Sequence, residues 1–74
     1  MFYLKAPVGE YTDDDGKRWY AALRETAINK AIDLSKAWGT IEVIDEPSRG
    51  SREKVGYAED GKFVWTAKVK QPFQ

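Results

Sequence analysis

The chain contains no cysteine and no histidine in its 74 residues. Without cysteine there is no disulfide framework and no thiolate nucleophile or metal ligand. Without histidine the commonest general base and the commonest metal-binding side chain are both missing. Charge of one sign is missing too, because twelve basic and twelve acidic residues cancel to a formal net charge of zero. A general nucleic-acid binder usually carries a basic excess, so this balance points away from that class. No segment approaches 18 consecutive apolar residues, and the opening MFYLKAPVGEY lacks a long apolar core of the signal-peptide type. These two features predict a soluble, unsecreted protein, and the absence of cysteine fits a reducing cytoplasm. What is present is a hydrophobic fraction of 42% with 14% aromatics, enough for a globular core and too apolar for a disordered chain. The length predicts one domain over residues 1–74, with a modest core, since so short a chain buries only about 60–65% of its unfolded surface.

Phe2, Leu4, Ala6 and Val8 alternate with Tyr3, Lys5 and Pro7. That period predicts a strand over residues 2–8 with one apolar face, and Pro7, lacking an amide proton, places that part of it at a sheet edge. Asp15-Gly16 suits a two-residue type I′ turn. The hairpin it would close sets Asp13 opposite Arg18, Thr12 opposite Trp19, Tyr11 opposite Tyr20 and Val8 opposite Leu23, pairing charges with charges and aromatics with aromatics. A helix from Lys17 onward competes with it, because Trp19, Leu23, Ala27 and Ala31 recur every four residues. Thr26 is the expected helix N-cap and Gly39 the expected C-terminal glycine. Ile28, Ala31, Ile32 and Trp38, flanked by Ala27 and Leu34, form the apolar stripe. A helix of roughly 13 residues is unstable alone and must pack on a sheet. Residues 40–45 (TIEVID) predict the next strand and the polar residues 46–52 a loop. No repeat, linker or low-complexity tract is present.

The clearest hairpin signal is YAEDGKFVW, residues 57–65. A two-residue turn at Asp60-Gly61 sets Glu59 opposite Lys62, Ala58 opposite Phe63, Tyr57 opposite Val64, Gly56 opposite Trp65 and Val55 opposite Thr66, and continues to Glu53 opposite Lys68. Ala58, Phe63, Trp65, Ala67 and Val69 then face the helix, with Gly56 leaving room for the Trp65 indole. Val55, Tyr57, Val64 and Thr66 face away. The expected architecture is α+β, ββαβββ: an antiparallel sheet with one helix packed on one face. One helix covers one face only, which would leave Tyr20, Tyr11, Tyr57 and Val64 on the open side. Exposed aromatics there suit a contact surface, although strands also tolerate Tyr and Val for their propensity alone.

Catalytic chemistry finds little purchase. Asp13, Asp14 and Asp15 are adjacent carboxylates, but the alternating ligands and distal Glu of a calcium loop are missing. Ser35, Ser48 and Ser51 have no histidine to activate them. Gly50 lies in no GxxxxGK[ST] phosphate loop. The expectation is a non-enzymatic protein with no cofactor and no metal. Arg49, Arg52 and Lys54 cluster, and Lys62, Lys68 and Lys70 follow with no acid after Asp60. Beside the aromatic face they would form a positive strip, able to stack and neutralise single-stranded nucleic acid or to meet an acidic protein patch. As an edge-strand device, the same charges would simply discourage aggregation.

The Thr-capped, alanine-rich helix ending in Gly39-Thr40, followed by a strand and the Tyr57-x-Glu59-Asp60-Gly61-Lys62 hairpin, resembles small phage-encoded anti-CRISPR proteins that inhibit type I-F surveillance complexes. The resemblance spans roughly residues 26–65. It implies a sheet holding one helix, a bacterial host cytoplasm, and a protein partner: the CRISPR surveillance subunit that lines the guide RNA, where occupation blocks target-DNA pairing. In that family basic residues on the helix and neighbouring sheet make the contact. Lys30 falls near the helical basic pair, with Asn29 in place of the second cation. The expected partner-binding residues are therefore Lys30, Arg49, Arg52, Lys54, Tyr57, Tyr20 and Lys68, in a monomer or weak dimer. A small nucleic-acid-binding module and a self-associating phage structural protein are the competing expectations.

Overall fold

The computed structural model describes residues 1–48 and 50–66. Six strands and one helix follow in the order β1 (Phe2–Ala6), β2 (Gly9–Glu10), β3 (Tyr20–Ala21), α1 (Arg24–Trp38), β4 (Ile41–Ser48), β5 (Ser51–Glu59) and β6 (Lys62–Trp65). All pairings are antiparallel, in one sheet ordered β2-β1-β4-β5-β6, with β3 also on β1. The expected α+β arrangement, one helix on an antiparallel sheet, is the one found.

The first hairpin differs from its expectation. The chain turns at Pro7-Val8, so that Ala6 pairs with Gly9 and Lys5 with Glu10. Proline pre-sets the turn backbone, and Gly9 with φ 135° takes a conformation closed to other residues. Val8 is therefore 92% exposed at the turn and does not meet Leu23. Residues 11–19 leave the sheet as an excursion and return at β3, which pairs with the other end of β1 through Phe2↔Ala21 and Tyr3↔Tyr20. Within the excursion, the Asp13 amide donates to the Lys17 carbonyl and Thr12 bridges Arg18. That is a three-residue loop over 14–16 with Gly16 left-handed (φ 80°), one residue longer than a type I′ turn, and it shifts the register by one. Asp13 stabilises it by accepting the amides of Asp15 and Lys17 at 2.9 and 3.0 Å. An Asp side chain bonding forward to its own turn competes with the tighter geometry.

Both competing readings of residues 17–25 hold part of the truth. Tyr20–Ala21 is strand and the helix begins at Arg24, with Leu23 as its extended N-cap residue and no side-chain cap. Thr26 lies inside the helix. The buried helical face is Ala27, Ala31 and Ser35, with Ile28, Ile32 and Leu34 partly buried beside it, while Trp38 is half exposed. Small residues at that spacing let the helix axis approach the sheet closely. The core beneath is Leu4, Ala6, Ala21, Ile41, Val43, Val55 and Ala58. Leu4, Ile41, Val43 and Val55 are its largest fully buried side chains, each contributing about 1.5–3 kcal/mol relative to exposure.

The last hairpin follows its expected register from Glu59↔Lys62 to Gly56↔Trp65. The amide of Thr66 donates to Val55 as that pairing requires. Asp60 (φ 51°) and Gly61 (φ 80°) both take the positive φ of a type I′ turn. The turn is tied to the helix: the Gly61 amide donates to Ser35 Oγ at 2.9 Å, and Ser35 donates to the Ile32 carbonyl at 2.8 Å. The expected pairing of Glu53 with Lys68 and the core positions Ala67 and Val69 lie outside the described residues. Residues 46–52, expected as a loop, instead extend β4 and β5 on both sides of Gly50 as far as they are described. Pro47 is accommodated because the register slips between Asp45 and Ser48, where its missing amide breaks no ladder bond.

Candidate functional site

The side of the sheet away from the helix is built by strand parity. Tyr3 and Lys5 alternate with the inward Phe2, Leu4 and Ala6, and Glu42 and Ile44 alternate with the buried Ile41 and Val43. Cross-strand pairing gathers these residues into two rows. One runs Tyr20, Tyr3, Ile44, Lys54, and the other runs Glu10, Lys5, Glu42, Tyr57, Val64.

Lys54 belongs to the first row only because β5 contains a bulge. Val43 faces Gly56 and Ile44 faces Lys54, which leaves Val55 as an extra residue on β5. A bulge resets the alternation of its strand. Val55 consequently turns into the core at 1% exposure, against the expectation that it stands on the open face, and Lys54 and Arg52 are aimed outward. The expected place for Tyr11 is corrected as well. The excursion swings it to the helix side, where its ring meets Trp19 at 6.2 Å and Trp38 at 5.8 Å.

Three of the outward cations, Arg18, Arg52 and Lys54, are engaged by carboxylates of the same face. Arg18 Nε lies 2.7 Å from Glu10, Arg52 lies 3.3 Å from Glu10 and 3.0 Å from Glu46, and Lys54 Nζ lies 3.0 Å from Glu42. Arg18, Glu10, Arg52 and Glu46 thus form a chain that ties the excursion to the β4–β5 hairpin. The hydrogen bond to Glu46, then that to Glu10, raises the Arg52 pKa above its ordinary value. The guanidinium of Arg18 also lies over the Tyr3 ring at 4.8 Å, and Lys54 Nζ lies 5.4 Å from the Tyr57 ring centroid. Tyr20 is 57% exposed beside Tyr3, their centroids 6.3 Å apart.

Of the residues expected to bind a partner, Tyr20, Tyr57, Arg52 and Lys54 share this face. Lys30 does not: it sits on the helix, its Nζ 5.8 Å from the Tyr11 ring centroid, on the opposite side of the sheet. Arg49 and Lys68 lie outside the described residues. Sequence reasoning passed over Tyr3, Lys5, Glu10, Glu42 and Ile44, although the alternation of residues 2–6 already sends Tyr3 and Lys5 to the outer face. A glycine inside a strand pattern, here Gly56 after Val55, was the available signal for the bulge. Among the described residues no three His, Cys, Asp or Glu side chains gather as a metal-binding group. No described helix is long and apolar enough to cross a membrane. Comparison of the chain with family models, with curated proteins and with solved structures gives no match.

Proposed function

We propose that the protein is a non-enzymatic binding module that acts by laying the uncovered face of its sheet against another protein. One observation supports this most: Tyr20, Tyr3, Tyr57 and Val64 share a face on which Arg18, Arg52 and Lys54 are each engaged by a carboxylate of the same chain. Tyrosine and arginine are enriched where proteins meet, and rings held by cross-strand pairing lose little freedom on contact. Nucleic-acid binding draws instead on cations left free to replace the counterions of phosphates. The internal ion pairs therefore favour a protein over a nucleic acid as partner.

Inhibition of a CRISPR surveillance complex in a bacterial cytoplasm is the specific form of this reading, and it rests on the resemblance of the helix exit and the Glu59-Asp60-Gly61-Lys62 turn alone. Lys30 and Arg52 occupy opposite sides of the sheet, so one flat contact surface takes Arg52 and leaves Lys30 out.

The test is target-DNA binding by a purified type I-F surveillance complex with increasing amounts of the chain. Stoichiometric inhibition, lost in Arg52→Glu and kept in Lys30→Glu, is expected. No inhibition at molar excess sinks the CRISPR form. For the broader reading, capture from nuclease-treated bacterial lysate separates the partner classes: a protein retained after nuclease supports it, whereas binding lost on nuclease treatment and falling steeply with salt contradicts it.

A further inference from the structure

The uncovered face contains a shallow pocket of about 280 Å³, with Tyr3 and Ile44 among its apolar lining and Lys5, Glu10, Arg52 and Lys54 among its charged lining. Its charges are unevenly committed. Glu10 is held by two arginines, Glu46 by Arg52 and Glu42 by Lys54. Lys5 lies between Glu10 and Glu42 in register, yet its ammonium forms no ion pair among the described residues. Both glutamates beside it are already drawn to other cations. On the uncovered face around this pocket four cations (Lys5, Arg18, Arg52, Lys54) stand against three carboxylates (Glu10, Glu42, Glu46), an excess of one positive charge, while Glu53, which also lines the pocket, pairs in register with Asp45 and belongs by strand parity to the helix side. The capacity left over is that of Lys5, a strongly hydrated point charge with rotatable donors, beside an apolar patch.

We infer that this pocket receives a glutamate or aspartate side chain of the partner protein, with its carboxylate on Lys5 and an adjoining apolar group against Tyr3 and Ile44. This rests on the protein-binding reading of the sheet face and names the chemistry that face selects. An incoming cation would meet carboxylates already neutralised and Lys5 unopposed, and a neutral group would leave the spare charge unused. Charge complementarity of this kind sets which partner is accepted more than how tightly it is held.

The probe is 3-phenylpropionate, a carboxylate on an apolar stem, titrated into the ¹⁵N-labelled chain. Its neutral amide serves as the size-matched control. Saturable shifts at Tyr3, Lys5, Ile44 and Lys54 are expected, with the acid binding about two- to fivefold tighter than the amide, the range of an exposed charge pair. Lys5→Gln removes that preference. Lys62→Gln, on the same sheet but outside the pocket, leaves it intact and controls for net charge. Equal binding of acid and amide, shifts elsewhere on the surface, no shifts up to the solubility limit, or a preference that survives Lys5→Gln each overturns the assignment. The titration needs no partner. Its failure removes the carboxylate, while the sheet-face reading stands or falls by capture of a partner protein.

Discussion

Gly56→Ala is expected to be among the most damaging single-methyl additions in this chain. Gly56 is buried on β5, next to the bulge and between Val43 and Trp65. A β-carbon there would collide with the Val64 carbonyl oxygen and stand 2.7 Å from Phe63 Cζ and 3.0 Å from Phe63 Cε2. The space that sequence reasoning reserved for the Trp65 indole is thus taken by the Phe63 ring, which meets Trp65 edge-on at 5.2 Å. The phenyl ring can rotate away at the loss of its packing. The carbonyl belongs to the hairpin backbone and can move only by parting β5 from β6. Overpacking a core costs about 1–3 kcal/mol, and a backbone clash belongs at the upper end. A domain of this length has roughly 4–11 kcal/mol in total. About 3 kcal/mol lost would lower its melting temperature by something like 12–24 °C, at about 4–8 °C per kcal/mol. Urea unfolding followed by tryptophan fluorescence and by far-ultraviolet circular dichroism measures it. Gly16→Asn is the control, because Gly16 has open space around it and asparagine tolerates its left-handed backbone. A Gly56→Ala midpoint equal to that of Gly16→Asn would refute the packing proposed for this hairpin.

Three further predictions concern other parts of the structure. Ser35→Ala leaves the Gly61 amide without its partner and should cost about 1–3 kcal/mol in urea unfolding, with faster hydrogen exchange at Gly61 as the local signature. Asp13→Ala removes the acceptor for two turn amides and should cost about 0.5–1.5 kcal/mol, with chemical-shift changes confined to residues 11–19. Tyr20→Ala should leave the unfolding midpoint nearly unchanged, since its ring is more than half exposed, while sharply weakening capture of a partner protein in a nuclease-treated pull-down.

Where local chemistry decides the structure, the sequence was legible. Asp60-Gly61 specified its turn, the turn specified the register from Glu59↔Lys62 to Gly56↔Trp65, and the period of residues 26–38 located the helix. Legibility failed where two local solutions compete. Asp15-Gly16 supports a two-residue turn, but Asp13 bonding to its own loop favours three, and one residue of slip moved Tyr11 from the open face to the helix side. Pro7 reads equally well as an edge residue and as a turn residue, and the structure uses it in the turn. The helix start was placed late because Thr26 is a good cap, whereas tertiary packing of β3 sets the entry at Leu23. For the candidate face, the open-side positions of Tyr20 and Tyr57 followed from strand parity, whereas Arg52 and Lys54, expected as a basic strip beside that face, reach it only through the bulge, and their ion pairing was hidden. Glu10 and Glu46 are 36 positions apart, and they meet Arg52 only because β1 and β4 are neighbours and the bulge turns Arg52 outward. Parity along a strand cannot foresee an inserted residue, and net charge cannot reveal which charges touch.

The central claim is that the working surface is the uncovered sheet face and not the helix side. The most direct measurement compares two variants in the same nuclease-treated capture experiment: Tyr20→Ala with Tyr57→Ala on the sheet face, and Trp38→Ala with Lys30→Glu on the helix side. Both pairs include a large, partly exposed aromatic, so loss of apolar surface alone does not separate them. Loss of the captured protein in the sheet-face variant, with retention in the helix-side variant, is the expected result. Retention in the sheet-face variant with loss in the helix-side variant would contradict the claim and move the interface to the Tyr11, Trp19 and Trp38 cluster.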